Sequence, residues 1–452
     1  MTTTSLPHLA GNYAPVTREL TRHDLPVTGA IPPELTGWYL RNGPNPCEAE
    51  SAHWYLGDGM VHGVRLEGGR ATAFRNRWVR TSVLTDDAPL YDSSGRRDLT
   101  AGVANTHVVR HAGRLLALAE AALPYQLTPD LNTVGVHDFD GKLTTAMTAH
   151  PKTCPTTGEL HFFGTEVLSS PHLTYHRADA AGNLVVSRGI EDVGPTMMHD
   201  FGLTSRHVVF MDLPVAFDLD RIAAGDAVPY KWDEAYGARL GVLRRDDPHG
   251  TIRWFTIDPC YVFHVSNAHD VEPGPGETEG RIVLTVVRYP ELWRTDSSEA
   301  YPSATLWRWT VDLASGTVHE EQLDDQITEF PRIDDRLATL DARFAHTVIA
   351  PSHPRHADLP GGLLRYDLRT GAVARHTFGP GRIPSEAAFA PSDDRPGGHG
   401  WLMAYVFNAA TATSDLVIID ASDLSAPPVA TVHLPQRVPY GFHGNWLPDP
   451  GR

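Results

Sequence analysis

Lysine is almost missing from this chain: Lys142, Lys152 and Lys231 are three of 38 basic residues in 452. No basic run exists, and the formal net charge is −17. Binding nucleic acid needs clustered cations to neutralise phosphates, so that class of partner is excluded. Electrostatic docking on an anionic membrane is excluded for the same reason. Cysteine is scarce too: Cys47, Cys154 and Cys260 are odd in number and far apart. That pattern fits neither a disulfide framework nor a cysteine-rich zinc site. No apolar stretch approaches the roughly 18 residues that would span a bilayer. The opening "MTTTSLPHLAGNYAPV" has neither a charged start nor an apolar core, so it does not read as a signal peptide. A cytoplasmic protein is expected, and nothing in the sequence implies a protein partner. Helical periodicity is sparse as well; only "DLDRIAAGDA" and "DEAYGARLGVL" allow short helices.

What the chain does have is hairpins. Short apolar or β-branched runs flank polar turns at Gly68-Gly69, Gly113, Gly141, Gly182, Gly250, Gly316, Gly371 and Ser425. The turns recur about every 28 to 68 residues, which without intervening helices fits the blades of a β-propeller. Seven blades of about 65 residues would use the whole chain. A pair of β-sandwiches would also give many hairpins, but no Pro/Gly/Ser linker divides the sequence.

Four histidines have unusual surroundings: His150 in "TAHPKTCPTTGELHFFG", His199 in "MMHDFGLTS", His264 in "YVFHVSNAHD" and His443 in "VPYGFHGNW". Their gaps of 49, 65 and 179 residues are about one, one and three blade lengths. Strands nearest a propeller axis could bring such residues together, and neutral imidazole suits iron, copper, nickel or zinc. The bland reading is four ordinary histidines among 24. Glu120 ends the apolar run "RLLALAE", where a buried carboxylate is costly unless partnered. Glu329 precedes Phe-Pro, and Glu386 sits in "IPSEAAFA". Each glutamate, taken alone, also reads as an edge or surface carboxylate.

The blocks "GWYLRNGPNP", "HWYLGDGMVHGVRL", "ANTHVV", "AHPKTCPTTGELHFFG", "MHDFGLTSRHVVFMDLPV", "WFTIDPCYVFHVSNAHD", "EFPRID", "PSEAAFAP" and "GFHGNW" follow one another along nearly the full length. In this order they resemble the carotenoid cleavage oxygenase family. The resemblance implies an all-β fold of one domain over residues 1–452. This would be a seven-bladed β-propeller with loops and short helices forming a cap over an axial metal site. It implies Fe(2+) held by His150, His199, His264 and His443, with Glu120, Glu329 and Glu386 bonded to three of those rings, and Asp200 as a turn residue. It also implies that Thr106 of "ANTHVV" approaches the iron position not taken by histidine, and that Phe263 and Phe330 line a substrate tunnel. The aromatics Trp54, Tyr55, Tyr125 and Phe389 are weaker tunnel candidates.

The implied reaction joins O2 to the two carbons of a conjugated C=C bond, which parts into two carbonyl products. Family members that cleave stilbenes grip the substrate phenol with a lysine just before the first glutamate and an upstream tyrosine. Here Ala119 stands at that place, and "NRWVRTSVLTDDAP" has no tyrosine. This favours an apolar apocarotenoid over a hydroxystilbene or phenylpropanoid, although apocarotenoid members tend to carry a bulky aromatic where Ala119 stands. The rival readings are an alkene isomerase on the same iron and a non-catalytic propeller scaffold. The stretch 211–232 reads as an apolar rim for transient membrane contact or as an ordinary loop between blades.

Overall fold

Successive antiparallel hairpins account for almost all regular structure in the computed structural model, which describes residues 6–48, 50–93, 96–297, 301–349 and 361–449. Glycine makes the turns tight where φ must be positive, as at Gly68 (φ 56°) and Gly69 (φ 75°) between the strands Gly59–Glu67 and Arg70–Trp78. Seven of the eight turns named from the sequence join two paired strands. The exception is Gly141. Its φ of 76° turns the chain after the strand Thr133–Val136, but residues 142–151 form no strand and cross to the next sheet as a loop.

The chain divides into two compact units. Unit 2 comprises Lys142–Ala345 and Asp367–Gly371, and unit 1 holds the remainder. Three four-stranded sheets lie in unit 2, with edge strands Lys152–Thr153, Gly202–Leu203 and Tyr261–Val271. Its core includes Phe163, Tyr175, Phe201, Val208 and Phe210, all nearly without exposure. In unit 1, a four-stranded sheet begins at His107–His111. A five-stranded sheet pairs Gly37–Pro44 with Gly444–Pro448, with Arg41 opposite Gly444. A six-stranded sheet pairs Val27–Gly29 with Ala430–His433. Alternate residues such as Leu416 and Ile418 face the unit 1 core with Tyr39, Val64 and Phe74. The remaining four-stranded sheet begins at Glu329–Arg332. Seven sheets of four or more strands, arranged in chain order, are the blades of a seven-bladed β-propeller.

One of the two short helices expected is present. Leu219–Ala224 is capped by the Asp218 carboxylate, which accepts from the N–H groups of Asp220 (2.7 Å) and Arg221 (3.3 Å), and it stops at Gly225 (φ 85°). "DEAYGARLGVL" is not helical. Residues 239–244 form a strand instead, with Leu240 and Val242 buried and Arg239 bonded to Asp212. The apolar spacing there serves period 2 as well as period 3.6, and pairing with His207–Asp212 decides it.

Every blade presents one notable residue at or just before an edge strand. Thr106 precedes His107–His111, His150 precedes Lys152–Thr153, and His199 precedes Gly202–Leu203. His264 lies within Tyr261–Val271, Glu329 opens Glu329–Arg332, and His443 precedes Gly444–Pro448. Glu386 falls between Arg382–Pro384 and Ala388–Pro391, which both pair with Gly400–Asn408.

Candidate metal centre

Three imidazoles meet within unit 2. Ring centroids of His150 and His199 lie 4.4 Å apart, those of His150 and His264 5.0 Å, and those of His199 and His264 5.2 Å. Main-chain bonds hold the bearers in register: Thr148 Oγ1 donates to the His199 carbonyl (3.1 Å) and accepts from the His150 N–H (3.2 Å). His264 Nδ1 donates to Glu329 Oε2 at 2.6 Å. Glu329 is itself fixed, with Oε1 accepting from Tyr289 O–H (2.9 Å) and Oε2 accepting from the Phe330 N–H. To give that last bond Phe330 takes a φ of 53°, a strained backbone for a bulky residue, and its ring stacks on His264 at 5.4 Å and 30°.

His443 is built in the same way within unit 1. Its Nδ1 donates to Glu386 Oε1 at 3.1 Å, while Glu386 Oε2 accepts from the Gly444 N–H at 2.6 Å. The His443 N–H donates to the Thr106 carbonyl at 3.1 Å, and Thr106 Oγ1 donates to Asn105 Oδ1 at 2.9 Å. The atoms that His150, His199, His264 and His443 can each offer a metal all lie within 4.8 Å of one another. With Nδ1 of His264 and His443 given to carboxylates, each keeps the Nε2 lone pair for an ion. Four neutral imidazoles without a carboxylate among them suit a divalent transition ion rather than calcium or magnesium.

Glu329 and Glu386 thus each accept from a histidine ring, and Glu120 stands two residues past the strand Arg114–Leu118, half-buried. Phe263 is buried, edge-on to His199 at 5.2 Å and packed among Tyr261, Tyr289, Trp293 and Tyr301. Trp54 and Tyr55 form a second aromatic group with Phe442, the neighbour of His443. Tyr125 is a core residue whose hydroxyl donates to the Thr100 carbonyl (2.7 Å), and Phe389 is buried against His346. Sequence reasoning did not find Thr148 or Tyr289, because their partners His199 and Glu329 are brought near only by folding.

A family model described as retinal pigment epithelial membrane protein matches residues 13–448. The chain belongs to the carotenoid cleavage oxygenase family. It is 40% identical to a carotenoid cleavage oxygenase of Mycobacterium tuberculosis over 98% of this chain and 97% of that one. Its fold is similar to the crystal structure of Pseudomonas brassicacearum lignostilbene dioxygenase, with a TM-score of 0.86, 27% identity, and 98% and 99% of the two chains covered. It is similar also to a variant of Synechocystis apocarotenoid oxygenase, with a TM-score of 0.85, 27% identity, and 97% and 98% covered. The carotenoid cleavage oxygenase family is non-heme iron dependent, and the four-histidine cluster is compatible with an iron site.

Proposed function

We propose that this protein is an Fe(II)-dependent dioxygenase that splits a C=C bond of an apocarotenoid or carotenoid with O2, giving two carbonyl products. The observation that carries the reading is the convergence of four imidazoles with carboxylates behind two of them. His150, His199, His264 and His443 hold the ion. Glu329 and Glu386, joined by Glu120, orient the rings and offset the ion's charge. Bound there, iron(II) supplies the one-electron chemistry that lets ground-state O2 react with an alkene. The protein's own work is positioning: Thr106 limits what enters beside the histidines, and Phe263 and Phe330 keep water away and align an elongated apolar chain. No side-chain acid or base is required, because the two oxygen atoms of O2 account for both new carbonyls. The two compact units work as one propeller domain, a reading supported by the unbroken family match through residues 13–448.

The experiment is an assay of iron-loaded protein against apocarotenals under 18O2, with resveratrol and isoeugenol in parallel. One labelled oxygen in each of two fragments from an apocarotenal is the expected result. Faster turnover of resveratrol or isoeugenol would move the substrate to the phenolic class. An isomerised, unlabelled product would replace cleavage altogether.

A further inference from the structure

Asp200 is not the plain turn residue that its place beside His199 suggests. Its side chain is 2% exposed, yet both carboxylate oxygens are engaged. Oδ1 accepts from the Phe201 N–H at 2.8 Å, and Oδ2 accepts from the Val265 N–H at 2.7 Å. The Lys152 ammonium spans the two, 2.8 Å from Oδ1 and 3.0 Å from Oδ2. Asp200 follows His199, Val265 follows His264, and Lys152 lies two residues past His150. One ion pair therefore touches the chain within two residues of three of the four imidazoles.

We propose that Lys152 and Asp200 are positioning residues that lock the three histidine-bearing segments of unit 2 into their metal-holding register. The inference rests on the reading of these histidines as metal ligands. A buried carboxylate bonded to two main-chain N–H groups fixes the direction of each segment as no apolar contact would. Lys152 has a second task. It cancels the charge of Asp200, so that Glu329 and Glu386 are left to face the ion. Without it, a buried and uncompensated carboxylate would turn away, and the Val265 N–H bond would loosen. Lysine occurs at only two other positions of the whole chain, Lys142 and Lys231.

The test compares wild type, Lys152→Met, Lys152→Arg and Asp200→Asn as full-length protein. Co(II) affinity is measured by chelator competition, together with the Co(II) visible spectrum and the Tm of the metal-free form. Loss of such a supporting contact weakens metal binding by about 10- to 100-fold. That loss, with an altered spectrum, is expected for Lys152→Met, and substantial recovery is expected for Lys152→Arg. A purely structural ion pair would lower the metal-free Tm and leave affinity and spectrum at wild-type values; that result overturns the proposal. Should Asp200→Asn fail to fold, the two Lys152 variants decide. If wild type itself binds no Co(II), the metal reading falls and the clamp with it. If wild type binds and Lys152→Met binds equally well, only the clamp falls.

Discussion

At the scale of single residues, the molecule separates those that hold from those that aim. The His199 main-chain carbonyl is held by Thr148, and its ring lies edge-on to Phe263. His199→Ala should therefore remove a donor without removing much packing. We expect iron per chain to fall from near one to near zero and turnover to vanish, while stability drops by only about 1 kcal/mol. Metal analysis beside urea unfolding checks both, and retained turnover would contradict the ligand assignment. Phe330 represents the other kind. Its identity was legible from the block "EFPRID", but its positive φ was not, because the strain exists only once Glu329 is held by His264 and Tyr289. Asp200 was misjudged for a related reason: its partners, 48 and 65 residues away, are ordinary until the sheets form.

At the scale of elements, the turn that carries His443 is the most tightly specified. The Arg41 guanidinium is fully buried, donates through Nη2 to the Pro439 carbonyl and is packed against Gly43 and Gly441. A Cβ on Gly441 would stand 1.7 Å from Arg41 Nη1, with nowhere for a buried side chain to go. Gly441→Ala should cost about 3 kcal/mol and lower metal content as well, since Phe442 and His443 bond to Asn42 on the neighbouring strand. Gly444→Ala is the comparison, because there a Cβ would come no nearer than 3.0 Å to its closest neighbour, the Tyr39 hydroxyl. Most elements could be read in advance because turn chemistry is local: a glycine with positive φ between two β-branched runs needs no distant information. The two errors were places where local signals are neutral. "DEAYGARLGVL" serves either period, and the loop after Gly141 keeps apolar Leu143 and Ala146 buried without any strand pairing.

Across the whole molecule, acid should be the weak side. Burial pushes His62, His161 and His176 below the usual histidine range, His176 to about 4. These rings stay neutral when folded, while the unfolded chain takes up a proton on each below about pH 6.5. The unfolded state then binds more protons, so stability declines as pH falls from 6.5 towards 4. For His176 alone the loss amounts to about 3 kcal/mol by pH 4. Urea unfolding at pH 7 and pH 4.5 should show a smaller difference in His176→Gln than in wild type; equal differences would refute the assignment.

The pairing of Gly37–Arg41 with Gly444–Pro448 also sets an order of events during biosynthesis. A ribosome makes His150, His199 and His264 long before His443, and the strand after His443 is the one that completes its sheet. A nascent polypeptide can thus offer three imidazoles but not four. A site that uses all four rings is thereby complete only once translation has passed the closing strand.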